Sequence, residues 1–362
     1  MRILHLPTSV GGNSIGLSLG ERELNLDSEV LVLYDNWLKY QADRVLFDNY
    51  TNSIVEKLVR IPKIIRTIYK DKNNYDIFHF NFGTSMLDLW AYGFPLIDLP
   101  LYKRNGKIFV TYNGDDARLS EPLRDKENFY SFHDLNFYKS HTNSGLNDLR
   151  ISKRTKKFEK YADVIFALNP DLMYFLPEKT RFLPYSVKGT VTGEYKQNSF
   201  HRKRLKVVHS PTNRSVKGTD IIINTVDKIN NLYGNILELI LVENKSNEKA
   251  LKIYREADVV IDQILIGWYG ALSVEVMRLG KPVMVNINNH DLKYIPKQMA
   301  LDCLDAFINT NKENIFNNLL WIIEDHNILK YHSEAALDYV NTWHDTKYVA
   351  SITKNAYEQI LK

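Results

Sequence analysis

The 362-residue chain holds a single cysteine, Cys303. No intrachain disulfide can form, and no cysteine-rich metal site can be assembled. That usage fits a reducing compartment, so a cytoplasmic location is expected. Long hydrophobic runs are also missing: none approaches the ~18 apolar residues that span a bilayer. The opening MRILHLPTSVGGNSIG meets Gly and Ser after a few apolar residues, so it reads as a first strand and not as a signal peptide. Nor is there an excess of one charge sign. The 47 Lys and Arg against 43 Asp and Glu leave a formal net charge of +4. This balance excludes a polyanion-coating protein, and the dispersed cations argue against a nucleic-acid partner. Short-period repeats and low-complexity segments are absent as well.

What remains is an ordinary globular composition, 44% hydrophobic and 25% charged. The chain is too long for one ordinary core, so two domains are expected. Short apolar runs alternate with longer helical patterns. Strand candidates are RILHL (2–6), EVLVLY (29–34), YDIFHF (75–80), KIFVTY (107–112), DVIFAL (163–168) and TRFLPY (180–185). The polar, basic stretch KGTVTGEYKQNSFHRKR (188–204) reads as a linker. Alternation then restarts with LKVVHS (205–210), ILELILVEN (236–244), DVVIDQ (258–263) and PVMVNI (282–287). Strands alternating with helices imply parallel sheets covered by helices on both faces. The expected fold is therefore α/β, with two Rossmann-like domains facing across a cleft. Residues 1–190 form the N-terminal domain and 191–345 the C-terminal domain. A terminal helix over 346–362 is placed to pack back on the N-terminal one.

Ligands of open parallel sheets bind beyond the carboxyl ends of the strands. At such an end lies HSPTNRSVKGTD (209–220), between the strand LKVV and the helical IIINTVDKI. A helix N-terminus offers unpaired N–H groups and a positive dipole end. Arg214 adds a planar fork and Lys217 a point charge, while Gly218 permits close backbone approach. The stretch reads either as a phosphate or diphosphate site or as a solvated loop with two surface cations. A second stretch, ADVVIDQILIGWYGALSVEVMRLGKPVMV (257–285), runs strand, loop, helix, strand. Leu272, Val276 and Leu279 form a buried helical stripe, and Glu275 stands beside them. A buried carboxylate needs hydrogen-bond donors; a ligand's hydroxyl pair would serve, as would a Lys, an Arg or a backbone N–H.

Together, RSVKG (214–218) and EVMRLGKPV (275–283) resemble two motifs of the retaining, nucleotide-sugar-dependent glycosyltransferases of the GT-B fold, the group 1 (family 4-like) type. GGNS (11–14) is similar to that family's glycine-rich first loop, which puts Gly11 and Gly12 beside the donor phosphate and acceptor. The resemblance implies that Arg214 and Lys217 hold the donor diphosphate and stabilise the leaving nucleotide. They would do a metal's electrostatic work, so no metal and no cofactor beyond the nucleoside-diphosphate-sugar donor is expected. It implies further that Glu275 accepts from the ribose hydroxyls, and that backbone N–H groups between Gly267 and Gly270 lie near sugar and phosphate. One departure stands out: eight positions before Glu275, where the family usually has a sugar-contacting Glu, this chain has Gly267. Trp268 and Tyr269 either shape that pocket or are packing aromatics.

On the N-terminal side, VTYNGDDARLS (110–120) delivers polar residues to a strand's carboxyl end. Asp115 or Asp116 could orient or deprotonate the acceptor hydroxyl, with Asp115 the favoured candidate, against the alternative of a turn in which an Asp caps the next helix. His79, flanked by Phe78 and Phe80, reads as a core histidine. VEKLVRIPKIIRTIYKDK (55–72) has an apolar and a basic face, interrupted by Pro62. Such a surface suits either peripheral contact with anionic lipid at the inner membrane face or an ordinary outer helix. RISKRTKKFEK (150–160) is a second basic run. The expected activity is metal-independent, retaining transfer of a sugar to a hydroxyl acceptor, a glycan or lipid-linked glycan, in surface polysaccharide or glycoconjugate synthesis. The alternative is a catalytically silent GT-B-like binding or partner-stabilising subunit, which Gly267 keeps in view. A nucleotide-sugar epimerase would need acid/base groups at the sugar, and no convincing set stands out.

Overall fold

The computed structural model describes residues 1–35, 40–51, 53–119, 144–189 and 204–362. The expected linker over 188–204 and the expected boundary at 190/191 fall almost wholly outside them. The described residues form two units. One comprises those of Met1–Glu121, Asn143–Lys188 and Asp345–Lys362, and the other those of Gly189–His344.

The first unit carries a seven-stranded sheet of Arg2–Leu6 (β1), Asp27–Tyr34 (β2), Arg44–Phe47 (β3), Ile77–Asn81 (β4), Lys107–Tyr112 (β5), Val164–Ala167 (β6) and Arg181–Phe182 (β7). Its order is β3-β2-β1-β4-β5-β6-β7, and all its pairs are parallel. The order reverses between β1 and β4, the place where open α/β sheets admit ligands. Alternation along the strands sorts the side chains. Leu4, Phe78, Phe80, Ile108 and Val110 face one way, into a core closed by Ile64, Ile68, Tyr102 and Phe158 from the crossing helices. The intervening residues His5, His79 and Thr111 face the other way, toward the helices Asn13–Glu23 and Thr346–Leu361. These two helices approach closely because Gly20 has no side chain: a Cβ there would sit 2.0 Å from the Thr346 carbonyl oxygen.

The second unit has a five-stranded parallel sheet of Leu205–His209 (β8), Leu237–Leu241 (β9), Val259–Ile261 (β10), Val283–Val285 (β11) and Phe307–Asn309 (β12). Its order is β12-β11-β10-β8-β9, with the switch point between β8 and β10. Both sheets are Rossmann-like.

Three local expectations need correction, and the strands β3 and β12 were not anticipated. TRFLPY yields only the two residues of β7, because Pro184 has no N–H to give to a ladder. The short RVLF strand β3, flanked by polar residues, has no extended run to mark it. Pro62 does not interrupt its helix, which runs unbroken over Ile54–Asp71. Pro62 is exposed, so water can take the Leu58 carbonyl it leaves unbonded. Finally, the helix Ala271–Met277 is not buried along one stripe: Leu272 is only half-buried, while Ser273 through Met277, Glu275 included, are all buried.

Candidate functional site

In the second unit, the carboxyl edge of the sheet gathers charge at the β8/β10 switch point. After β8, Asn213 caps the single turn Arg214–Lys217, its side chain accepting from Ser215 N at 3.1 Å. Gly218 closes the turn with φ +77°, and a Cβ there would lie 2.6 Å from Ile264, so the left-handed backbone and the close approach both demand glycine. The turn throws its two cations in different directions. Arg214 is half exposed and makes a bidentate pair with Glu243, just beyond β9, at 2.8 and 2.6 Å. Lys217 turns inward across the switch point, and its Nζ donates to Oδ1 of Asp262 at 2.7 Å.

Asp262 follows β10 directly and is completely buried. Its Oδ2 accepts from Gly270 N and from Ser273 Oγ, each at 2.7 Å, so one carboxylate ties Lys217 to the start of the Ala271–Met277 helix. Burial pushes its carboxyl up, but the Lys217 ammonium and these hydrogen bonds outweigh burial and hold it below its ordinary value. His209, at the end of β8, donates from Nδ1 to the Ile261 carbonyl at 2.8 Å and accepts at Nε2 from Thr219 Oγ1 at 2.9 Å. Burial lowers its pKa to about 4, so the ring is neutral and pins β8 to β10. Glu275 is buried and accepts from Asn247 Nδ2 at 2.7 Å.

Gly267 has a packing reason. A Cβ at 267 would stand 2.6 Å from the Cβ of Asn288, and Asn288 N donates to the Gly267 carbonyl at 2.9 Å. Asn288 therefore occupies the space a side chain at 267 would need. Gly267→Ala is expected to destabilise the fold by about 1–3 kcal/mol through overpacking. Adding Asn288→Gly should return most of that in a denaturation experiment, whereas a cost unchanged by the second substitution would place the strain elsewhere. Trp268 and Tyr269 are fully buried. Their rings lie 4.4 Å apart, Tyr269 stacks on Phe307, and its hydroxyl hydrogen-bonds Tyr339 and His344.

In the first unit, Gly11 and Gly12 follow β1 with φ of 57° and 69° and lead into the helix Asn13–Glu23. Gly12 carries no Cβ against Tyr40, whose ring would be 2.9 Å away. Across the switch, β4 is followed directly by Phe82 at φ 63°, a strained value for an aromatic residue. After β5, the two aspartates divide. Asp116 is the turn residue: it is buried and accepts from Asn113 N at 3.0 Å and Gly114 N at 2.7 Å. Asp115 is exposed, 3.3 Å from Arg118, whose buried guanidinium is held bidentately by Asp171.

Burial pushes the Asp116 carboxyl up to about 7. A raised acid favours the folded state when protonated. Its contribution is therefore full below pH ~4 and is lost as pH rises to about 7. Wild-type thermal stability is expected to fall between pH 5 and 8 more steeply than that of Asp116→Asn; equal slopes would contradict this assignment.

Gly11, Gly12 and Asp115 thus belong to the first unit, and Arg214, Lys217, Gly267, Gly270 and Glu275 to the second. Lys217 and Gly270 meet on Asp262, while Arg214, Glu275 and Gly267 each lean on a separate partner: Glu243, Asn247 and Asn288. None of these partners was expected, although Asp262 and Glu243 end the apolar runs VVID and LILVE, a signal that could have marked them. Asn247 and Asn288 carry no local signal. Among the described residues, only His5, Glu21 and His79 offer metal-ligand geometry, with ligand atoms within 4.8 Å of one another. All three are wholly buried and joined by hydrogen bonds to Ser28, Thr111 and Tyr357.

No family model and no curated protein sequence matches the chain. Solved structures do. The sucrose-phosphate synthase of Thermosynechococcus elongatus is similar over 100% of this chain and 99% of its own, with 13% identity and a TM-score of 0.63. HepE of Anabaena, solved in complex with UDP-glucose, matches over 99% and 100%, at 13% identity and 0.60. The fold is GT-B. WaaG, a glycosyltransferase involved in lipopolysaccharide biosynthesis, agrees over 97% and 99%, with 11% identity and a TM-score of 0.56. At such identities the likeness concerns the GT-B fold and not the residues of the site.

Proposed function

We propose that the protein is a glycosyltransferase that moves a sugar from a nucleoside-diphosphate donor to a hydroxyl acceptor. One observation carries the reading: Arg214 and Lys217 stand at the carboxyl edge of the second sheet, at its switch point, each paired with a carboxylate. The likeness to structures such as HepE with UDP-glucose supports it. In the reaction, the bond between the anomeric carbon and the diphosphate oxygen breaks and the diphosphate leaves with the electron pair. Arg214 and Lys217 neutralise the charge that develops, the work a divalent metal does elsewhere. Glu275 accepts from the ribose hydroxyls, and the backbone of Gly267 and Gly270 borders the donor. The acceptor oxygen forms the new bond to the anomeric carbon. Asp115, exposed after β5, takes its proton or orients it. Gly11 and Gly12 let the backbone after β1 come close to the ligand.

The finer features of this reading are retention of configuration, metal independence, and a glycan or lipid-linked acceptor in polysaccharide or glycoconjugate synthesis. A reducing, cytoplasmic setting agrees with the lone Cys303, buried and with its thiol pushed up to about 12 by burial. The test is release of nucleoside diphosphate from a panel of UDP-, GDP-, ADP- and TDP-sugars without acceptor. Slow hydrolysis of one donor, abolished by Arg214→Ala, is expected. Binding of a nucleotide sugar with no hydrolysis and no transfer to any hydroxyl acceptor would instead identify a silent binding subunit.

A further inference from the structure

The helix Ile54–Asp71 has more apolar surface than its sheet can use. Ile64 and Ile68 are buried in the core and Ile61 is half-buried against it. Along its length the helix then continues the apolar surface into solvent: Ile54, Val55, Leu58, Val59, Ile65 and Tyr69 are 39 to 72% exposed. At about 100° per residue these six fall within one arc of roughly 140°, adjoining the sheet-facing arc. Surface helices normally show one apolar stripe, turned to the core; this one shows a second, turned to water.

The charge around that stripe has one sign. Arg66, Lys70 and Lys63 lie along its edge. Arg66 and Lys70 have no ion pair among the described residues. The helix's two acids are already engaged, Glu56 with Arg60 at 3.8 Å and Asp71 with Arg44 at 3.0 Å. A second copy of the chain apposing this face would set cations against cations. A surface that is apolar beneath and anionic above fits both features at once. We infer that the Ile54–Asp71 helix docks the protein on an anionic lipid bilayer, its exposed apolar residues entering the headgroup boundary and Arg66 and Lys70 meeting lipid phosphates. No described helix is long and apolar enough to cross a membrane, so the contact is peripheral.

The inference stands apart from the donor-site reading and is tested without donor or acceptor. The full chain is sedimented with vesicles of phosphatidylcholine alone or with phosphatidylglycerol added. Binding to the anionic vesicles only, weakened by salt, is expected. Leu58→Glu with Val59→Glu should lower it about ten-fold or more, and Arg66→Gln with Lys70→Gln by several-fold. All four side chains are exposed or lie on the exposed edge, so unchanged thermal unfolding checks that each variant is folded. No binding to anionic vesicles would overturn the inference, as would binding indifferent to both pairs of substitutions. So would self-association through this face, seen as a dimer that Leu58→Glu with Val59→Glu converts to monomer.

Discussion

Lys217→Ala is expected to remove sugar transfer almost completely, by about 100- to 1000-fold, the usual loss when one preorganised stabiliser of developing charge is deleted. It should also cost about 3 kcal/mol of stability, because among the described residues it strips the only paired cation from a fully buried carboxylate. The two losses separate by pH. In the wild type, Asp262 is held below its ordinary value. Its contribution is therefore present above pH ~4 and fades only as pH falls through the depressed value. Without Lys217, burial dominates and raises the same carboxyl, so the sign inverts: stability should now decline as pH climbs from 5 to 8. Lys217→Ala with Asp262→Asn removes the stranded charge and should recover most of the stability but none of the transfer. If the double variant stays as unstable as the single one, the Asp262 carboxylate is not the source of the cost.

Glu21→Ala has the largest purely structural effect expected, about 3–5 kcal/mol. Four buried donors converge on this carboxylate: His5 Nε2 at 2.8 Å, Ser28 Oγ at 2.6 Å, Tyr357 OH at 2.9 Å and Thr353 Oγ1 at 3.1 Å. Because Tyr357 donates to Glu21, it accepts from His79 Nδ1 at 2.6 Å, and His79 Nε2 accepts from Thr111 Oγ1. Burial, with His5 beside it, keeps His79 neutral, its pKa well below the ordinary histidine value. The network fastens Thr346–Leu361 to the sheet from which it is most distant in sequence. Denaturant unfolding should show the loss, and amide exchange should show 346–361 opening before the sheet. A cost below about 1 kcal/mol would mean that water replaces the carboxylate.

How much of this was legible beforehand depends on the distance over which each feature is decided. The strands β1, β5, β8 and β10 declare themselves as short apolar runs, and their alternation with helices implied two parallel sheets. The switch-point turn was legible because Arg214, Lys217 and Gly218 lie within one turn. Their counter-ions were not, since Asp262 and Glu243 meet them from 45 and 29 residues away. Gly267 looked like a missing functional residue; the reason for it, Asn288, lies on a different loop and only the fold brings the two together. The helix at Ile54 announced its amphipathic pattern, but only solvent exposure reveals that its apolar arc outruns the core. Asp115 and Asp116 could not be told apart by type: the backbone turn decides which accepts N–H groups and which faces water.

The central claim is a nucleoside diphosphate held by Arg214 and Lys217, and the direct measurement is thermal unfolding against a panel of nucleoside diphosphates. Arg214→Ala is the sharper control, because its pair with Glu243 is half exposed and contributes little to folding. One diphosphate at about a hundred-fold excess over its dissociation constant is predicted to raise the transition by roughly 5–10 °C, and Arg214→Ala, still folded, to lose that rise. An equal rise in wild type and variant, or none with any nucleotide, would contradict the assignment of this turn as the donor site.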